Sequence, residues 1–575
     1  MVKQRLGLAL SGGGFRASFF HIGVLARMAE LDMLRDLESI STVSGGSIIG
    51  AYYYLHLKQL LESKADAEIT RQDYLDLVAQ VEKGFLAAVQ QNLRLRTFAS
   101  LRHNMKMALR HYSRSDRIGE LYDQLLYRPL VASATDDGVW MHDLRICPRG
   151  DVHHADFNPT EGHNDARRNK VPVLNINATV LNTGHNWRFT AVDMGEVVRS
   201  DSLALHFDKN TRLVKARYED ICDRDKGGFL LGQAVAASAG VPGVFPPLSV
   251  SRMYPWRIQL VDGGVYDNLG NEVLLNGALR CTHIIMSDAS GQMRDLPEPD
   301  TRTLSVFMRT TDILMDRVRE EMIDRVCTQH KQNVCLMHLN DGLDVTLMAA
   351  RDRSCPASPP SPVRKDVTGK LSRIRTDLDS FTDVEATCLM ARGYTLAQTH
   401  VDDMQRRWRA EAEPAQPGRW FFSQAVPWLT QPEQGPANLA RQLDVAEQKF
   451  AKALRLGISP AMLFSLSAFM LGLGVYLAAI YFVLYLINPD VVVDTLTWMQ
   501  TTTVADLGVM IGIALLVYAL ERLGKAFKLL RYLRQPYTLV VMLLLRFILP
   551  ALWAIPIKLY LVTLDKYFLR QGRLG

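Results

Sequence analysis

Near its start the chain twice shows an apolar run that halts at small residues and resumes at helical spacing. "LGLAL" (6–10) stops at "SGGG" and gives way to "FRASFFHIGVLARMAEL". "SISTV" stops at "SGG" and gives way to "SIIGAYYYLHLKQLLE". Parallel strands need a long crossover between them, and an amphipathic helix after a glycine turn supplies one. The pattern therefore predicts an α/β fold with a mostly parallel sheet flanked by helices. Further strand candidates are "VPVLNINATVL" (171–181), "RIQLVDGG" (257–264) and "THIIMSD" (282–288), each ending in polar or small residues. In such sheets ligands bind beyond the carboxyl ends of the strands.

A chain of 575 residues exceeds one ordinary domain, and hydropathy divides it unevenly. From residue 451 onward there are 12 Lys and Arg against 5 Asp and Glu, leaving 54 against 55 before it. The basic excess belongs to the apolar C-terminal part, which argues against a nucleic-acid partner. Seven scattered cysteines without a CxxC pair fit reduced thiols in the cytosol. The opening "MVKQRLGLALSGGG" has too short an apolar core for a signal peptide.

The division predicts a catalytic domain over 1–400, a connection over 401–455 and a membrane region over 456–575. The proline-broken stretch "EAEPAQPGRW" (411–420) marks its edge. Residues 461–487 carry no charge over 27 positions, ample for a bilayer span. A second span is expected over 504–520. Residues 537–562 hold Arg546, Pro550 and Pro556 and fit a span, a re-entrant segment or an interfacial helix pair. Lys452 and Arg455 precede the first span, Asp490 and Asp494 follow it, and five cations lie between Arg522 and Arg534. The positive-inside rule then places the catalytic part on the cytoplasmic side of a multi-pass protein. Residues 94–117, with seven Lys and Arg among Leu, Phe and Met, read either as a solvated helix or as a cationic face for anionic headgroups.

Three serines surround the second glycine turn. Ser41 falls inside the strand run, and Ser47 falls in the first helical turn, where a hydroxyl satisfies backbone N–H groups. Ser44 sits at the strand-to-helix junction, where a sharp turn exposes a nucleophilic hydroxyl. The elbow Thr42, Ser44, Gly45, Gly46 departs from G-x-S-x-G by carrying Thr42 at the first glycine position. The other turn, "SGGGFR" (11–16), offers unhindered N–H groups at a helix start, suited to an oxyanion. Arg16 beside it could hold a phosphate or pair with a carboxylate. "GGGFRA" also fits a dinucleotide fingerprint, but the second strand candidate ends in Ser44 rather than an acid. None of the 14 histidines identifies itself as a base; His283 and Asp288 would point to opposite faces of a strand. Asp262, ending a strand candidate before Gly263 and Gly264, is the better base, against the alternative of an ordinary turn carboxylate.

Four blocks in order, "LALSGGGFRASFFHIGVL", "STVSGGS", "AVAASAGVPGVFPP" (234–247) and "LVDGGVYDNLG" (260–270), resemble the patatin-like phospholipase family. Residues 374–394 are similar to the downstream helical part of its larger bacterial members. The resemblance implies a Ser44–Asp262 dyad, an oxyanion hole lined by Gly12, Gly13 and Gly14 with Arg16 beside it, and neither metal nor other cofactor. It further implies a membrane phospholipid as substrate. The C-terminal region lies outside the resemblance and, read on its own, is expected to enter a bacterial inner membrane. A dyad base working near neutral pH is expected to be desolvated, with a raised pKa. Two readings follow: a membrane-anchored acyl hydrolase of (lyso)phospholipids, or an anchored scaffold that binds lipid without turnover.

Overall fold

The computed structural model describes residues 3–574 apart from 108, 110, 132–137, 197–203, 222–227, 252–253, 277–278, 292, 294, 345–360, 410–412, 450–451, 458 and 488–552. The chain forms two compact units. The first comprises Met1–Thr97, Ser113–Leu456 and Phe568–Gly575; the second comprises Phe98–Tyr112 and Gly457–Tyr567.

The first unit is built on one sheet. Its strands are β1 (Leu6–Leu10), β2 (Leu37–Val43), β3 (Val173–Val180), β4 (Asn186–Phe189), β5 (Asp193–Glu196), β6 (Ala216–Arg217), β7 (Leu248–Val250), β8 (Ile258–Asp262), β9 (His283–Asp288) and β10 (Val334–His338). The order is β10-β9-β1-β2-β3-β4-β5-β6, with β8 paired to β3 and β7 to β8. Only β10, β9, β1, β2 and β3 run parallel; β4, β5, β6, β7 and β8 join antiparallel. The sheet is thus mixed, not mostly parallel as the glycine-turn pattern predicted. The reason lies in the connections: β3, β4 and β5 are joined by short loops, which can only turn the chain back on itself.

Helix α1 (Gly14–Glu30) follows β1 and α2 (Gly45–Ser63) follows β2, as expected. Both are almost wholly buried, because strands and helices cover them on every side. Short α3 (Leu101–Met107) belongs to the second unit, and α4 (Leu231–Ser238) and α5 (Thr303–His330) return to the first. Helix α6 (Asp383–Trp408) lies against α1, where Gly23 and Gly393 bring the two backbones together: a Cβ on Gly23 would stand 1.9 Å from the Met390 carbonyl. Residues 401–455, read from sequence as a connection, fold into this unit, as do the last eight residues of the chain.

The second unit joins the cationic stretch Phe98–Tyr112 to the apolar C-terminal region. Leu101, Met105 and Leu109 are about half exposed along that stretch. Helix α7 (Pro460–Ile487) contains the one described segment, Pro460–Ala478, long and apolar enough to cross a membrane, and 6% of it is buried. The predicted span 504–520 and most of 537–562 lie outside the described residues. The chain resumes in α8 (Ala554–Tyr560), a π-helical turn (Leu561–Asp565) and α9 (Lys566–Gln571).

Candidate active site

Strand register brings the two turns together. Along β3, Asn177 pairs with Val43 at the end of β2, and the next residue, Ala178, pairs with Asp262 at the end of β8. Strand β4 occupies the other edge of β3 over these positions. Strands β2 and β8 therefore share one edge of β3, run toward each other and stop head-on. Ser44 and Asp262, 218 positions apart in sequence, are the residues at the two tips.

Ser44 has φ 51° and ψ −117°, a backbone geometry that costs a residue with a Cβ of order 1–3 kcal/mol. The surroundings enforce it. The Ser44 N–H donates to Ser238 Oγ at 3.0 Å, and Ser238 Oγ donates to the Asn177 carbonyl at 2.6 Å. Gly45 lies so close to the first glycine turn that a Cβ would stand 2.1 Å from the Gly14 carbonyl. Ser47 is structural, though not through a backbone N–H: its Oγ lies 2.9 Å from Thr42 Oγ1 and 2.8 Å from Ser238 Oγ. Thr42 in turn donates to the Asn175 carbonyl at 3.0 Å. Its methyl group faces Gly50 of α2, so the threonine that departs from the usual elbow is accommodated by a glycine further along the helix. Ser41 donates inward to the Gly270 carbonyl.

Asp262 is buried, and its Oδ1 accepts the Gly264 N–H at 2.8 Å. The Ser44 hydroxyl is within weak hydrogen-bonding reach, while Oδ2 is sealed from solvent without a well-formed hydrogen bond. Burial raises the carboxyl pKa, the Gly264 N–H and the Ser44 hydroxyl pull it back, and the result is about 6. This agrees with the desolvation expected of it. No cation is paired with Asp262 among the described residues.

The glycine turn is placed beside Ser44 but differs in detail from expectation. The Gly12 N–H donates to the Asn268 carbonyl at 3.0 Å, so it is not a free oxyanion donor. Gly13 (φ 136°) and Gly14 (φ 58°) adopt backbone geometry that disfavours side chains, and their N–H groups have no acceptor among the described residues. Arg16 is turned toward backbone carbonyls. It is buried, and its guanidinium donates to the carbonyls of Ser372 (2.9 Å), Ile374 (3.1 Å) and Ala289 (2.9 Å). It thereby pins the segment before α6 against the turn, where the Thr376 carbonyl leaves no room for a Cβ on Gly14.

Sequence reasoning missed Asn268 and Ser238. Asn268 lies in the block that supplied Asp262; it takes the Gly12 N–H, and its Oδ1 fills the space that Cβ atoms on Gly12 and Gly264 would need. Ser238 lies in the block 234–247 and ties β3 to the elbow. His21 is buried between Ser287 Oγ (2.7 Å) and the Ser11 carbonyl (3.0 Å), and burial lowers its pKa to about 4. It braces the turn as a neutral ring. His283 packs on Trp408, whereas Asp288 faces Arg319 and His338.

The ends of β2 and β8 thus carry a strained serine at a strand-to-helix elbow and a buried carboxylate, with two glycine N–H groups that have no acceptor among the described residues in the turn packed on that elbow. Residues 8–275, just under half of the chain, match the model of patatin-like phospholipases, in agreement with the resemblance of the four sequence blocks. No curated protein matches the chain. Among solved structures it is similar to human GIVD cytosolic phospholipase A2 (12% identity, TM-score 0.28), over 70% of this chain and 59% of that one. It is also similar to VipD from Legionella pneumophila (11% identity, TM-score 0.23), over 76% of this chain and 93% of that one.

Proposed function

We propose that the chain is a membrane-anchored acyl hydrolase of (lyso)phospholipids working through Ser44 and Asp262. The observation that carries the reading is the head-on meeting of β2 and β8, which sets a strained serine against a buried carboxylate that has no counter-charge. Asp262 Oδ2 takes the proton as Ser44 Oγ attacks the ester carbonyl. The carbonyl oxygen, now an oxyanion, receives the N–H groups of Gly13 and Gly14, each worth roughly 3 kcal/mol in such a role. Collapse breaks the ester bond, Asp262 returns the proton to the departing alcohol, and the acyl group stays on Ser44. Water, deprotonated by Asp262, then releases the fatty acid.

The apolar α7 and the cationic stretch Phe98–Tyr112, gathered in one unit, support the anchor. In this reading the protein is multi-pass with its catalytic unit on the cytoplasmic face, where tethering raises the effective concentration of substrate.

Release of fatty acid and lysolipid from defined phospholipid vesicles tests the proposal. Wild type is expected to release both, and Ser44→Ala and Asp262→Asn to lose about a thousandfold or more in kcat. The rate should fall below about pH 6 as Asp262 takes up its proton. Vesicle binding without release at any pH would favour the lipid-binding scaffold.

A further inference from the structure

The first unit holds the chain on both sides of the apolar region, up to Leu456 and again from Phe568 to Gly575. The returning segment is seated, not merely adjacent. Phe568 is buried, with the Lys452 ammonium 4.1 Å from its ring centroid. The Gln571 carbonyl accepts from Asn438 Nδ2 at 3.1 Å, and the Gly572 carbonyl accepts the Val384 N–H at 3.1 Å. The Leu574 N–H donates to Asp383 Oδ2 at 2.9 Å. Gly572 lies so near Thr382, the N-cap of α6, that a Cβ would stand 2.5 Å from the Thr382 Cβ.

Within the second unit the departing and returning chains run side by side. The hydroxyls of Ser459 and Tyr567 are 2.9 Å apart, the rings of Phe469 and Tyr560 are 6.4 Å apart, and Leu559 fills the space beside Gly472. Numbers rise along α7 while they fall along its partner, so the two segments are antiparallel, with chain entry and exit at the same end.

We propose that the chain leaves the catalytic unit after Leu456 and re-enters it on the same side of the bilayer, with Phe568–Gly575 as the clasp that returns it. This rests on the membrane reading above. A folded unit cannot straddle a bilayer, so a membrane segment with both ends built into one such unit must return to the side it left. A return to the same side also leaves Lys566, Arg570 and Arg573 on the face that carries Lys452 and Arg455, as the positive-inside rule requires.

The test uses the full chain carrying one epitope before Met1 and another after Gly575, in sealed membrane vesicles of both orientations. Protease is expected to remove both epitopes from one face and spare both on the other; epitopes on opposite faces overturn the same-side return. Release of the chain by alkaline carbonate would instead overturn the membrane reading, and the same-side return with it. The clasp is tested separately on purified full-length protein by the rate of trypsin cleavage after Arg570. Gly572→Val and Asp383→Ala should each raise that rate about tenfold, since cleavage tracks the population of the opened segment, while Asp383→Asn, which keeps an acceptor oxygen, should stay near wild type. Unchanged rates in both disruptive variants overturn the clasp.

Discussion

Two carboxylates of the catalytic unit are equally hidden from water and treated in opposite ways. Asp262 at the tip of β8 is 4% exposed and Asp379, in the segment before α6, is 2% exposed. Around Asp379 stand Lys452 Nζ (2.7 Å), Arg94 Nη2 (3.3 Å) and Arg375 Nε (3.7 Å), with Asn92 Nδ2 donating at 2.8 Å. Burial alone would raise its pKa; the three cations hold it below the usual carboxylate range. Asp262 has one backbone N–H, the Ser44 hydroxyl and, among the described residues, no cation, and its pKa moves up instead. The Asp379 cluster belongs to the segment that Arg16 pins to the glycine turn, so its work is rigidity. A buried charge with partners holds structure; a buried carboxylate without them favours its protonated form.

The largest test of this contrast is activity, where Asp262→Asn should lose about a thousandfold in kcat while Asp379→Asn keeps near wild-type kcat per folded molecule. In stability the order reverses. Removing Asp379 takes away the carboxylate that Lys452, Arg94 and Arg375 share inside the protein, and should cost about 3–5 kcal/mol at pH 7 in a denaturant titration. Its folded pKa is depressed, so its contribution is present above the unfolded value and lost as pH falls. Asp262 has the opposite sign: a rise from 3.8 to about 6 means that ionisation costs the fold up to about 3 kcal/mol above that pH. Asp262→Asn should therefore melt higher than wild type at pH 8, the gain shrinking to nothing below about pH 4. A variant less stable than wild type at pH 8 would remove the picture of Asp262 as an unsupported ion.

The same contrast explains what could be read from sequence. Ser44 and Asp262 were legible because each closes a strand with glycines beside it, and the order of four blocks tied them together. Strands β1, β2, β3, β8 and β9 showed themselves as apolar runs. The hairpin strands β4, β5 and β6 did not, because Asn186, Asp193, Glu196 and Arg217 break their apolar pattern. Local sequence also gave no sign that Gly12 would spend its N–H on Asn268, or that Arg16 would reach carbonyls more than 350 positions away. Both depend on which distant backbone group arrives first. The seat of the C-terminal residues on α6 was hidden for the same reason: "LRQGRLG" has no pattern of its own, and its hydrogen bonds run through backbone.

The smallest effect concerns how the elbow tolerates Thr42. A Cβ on Gly50 would lie 2.6 Å from Thr42 Cγ2, far inside van der Waals contact, with Leu10 Cδ1 at an ordinary 3.7 Å. Gly50→Ala should thus destabilise by about 1–3 kcal/mol through overpacking, although alanine is the better helix former. Thr42→Ser removes the offending methyl yet keeps the hydroxyl that bridges Ser47 and the Asn175 carbonyl. In that background the sign should invert, and Gly50→Ala should stabilise by up to about 1 kcal/mol, the ordinary helix preference for alanine. Melting curves of the two single variants and the double variant measure the coupling directly. An additive result would mean that Gly50 does not accommodate Thr42, and that the departure at the elbow is carried elsewhere in α2.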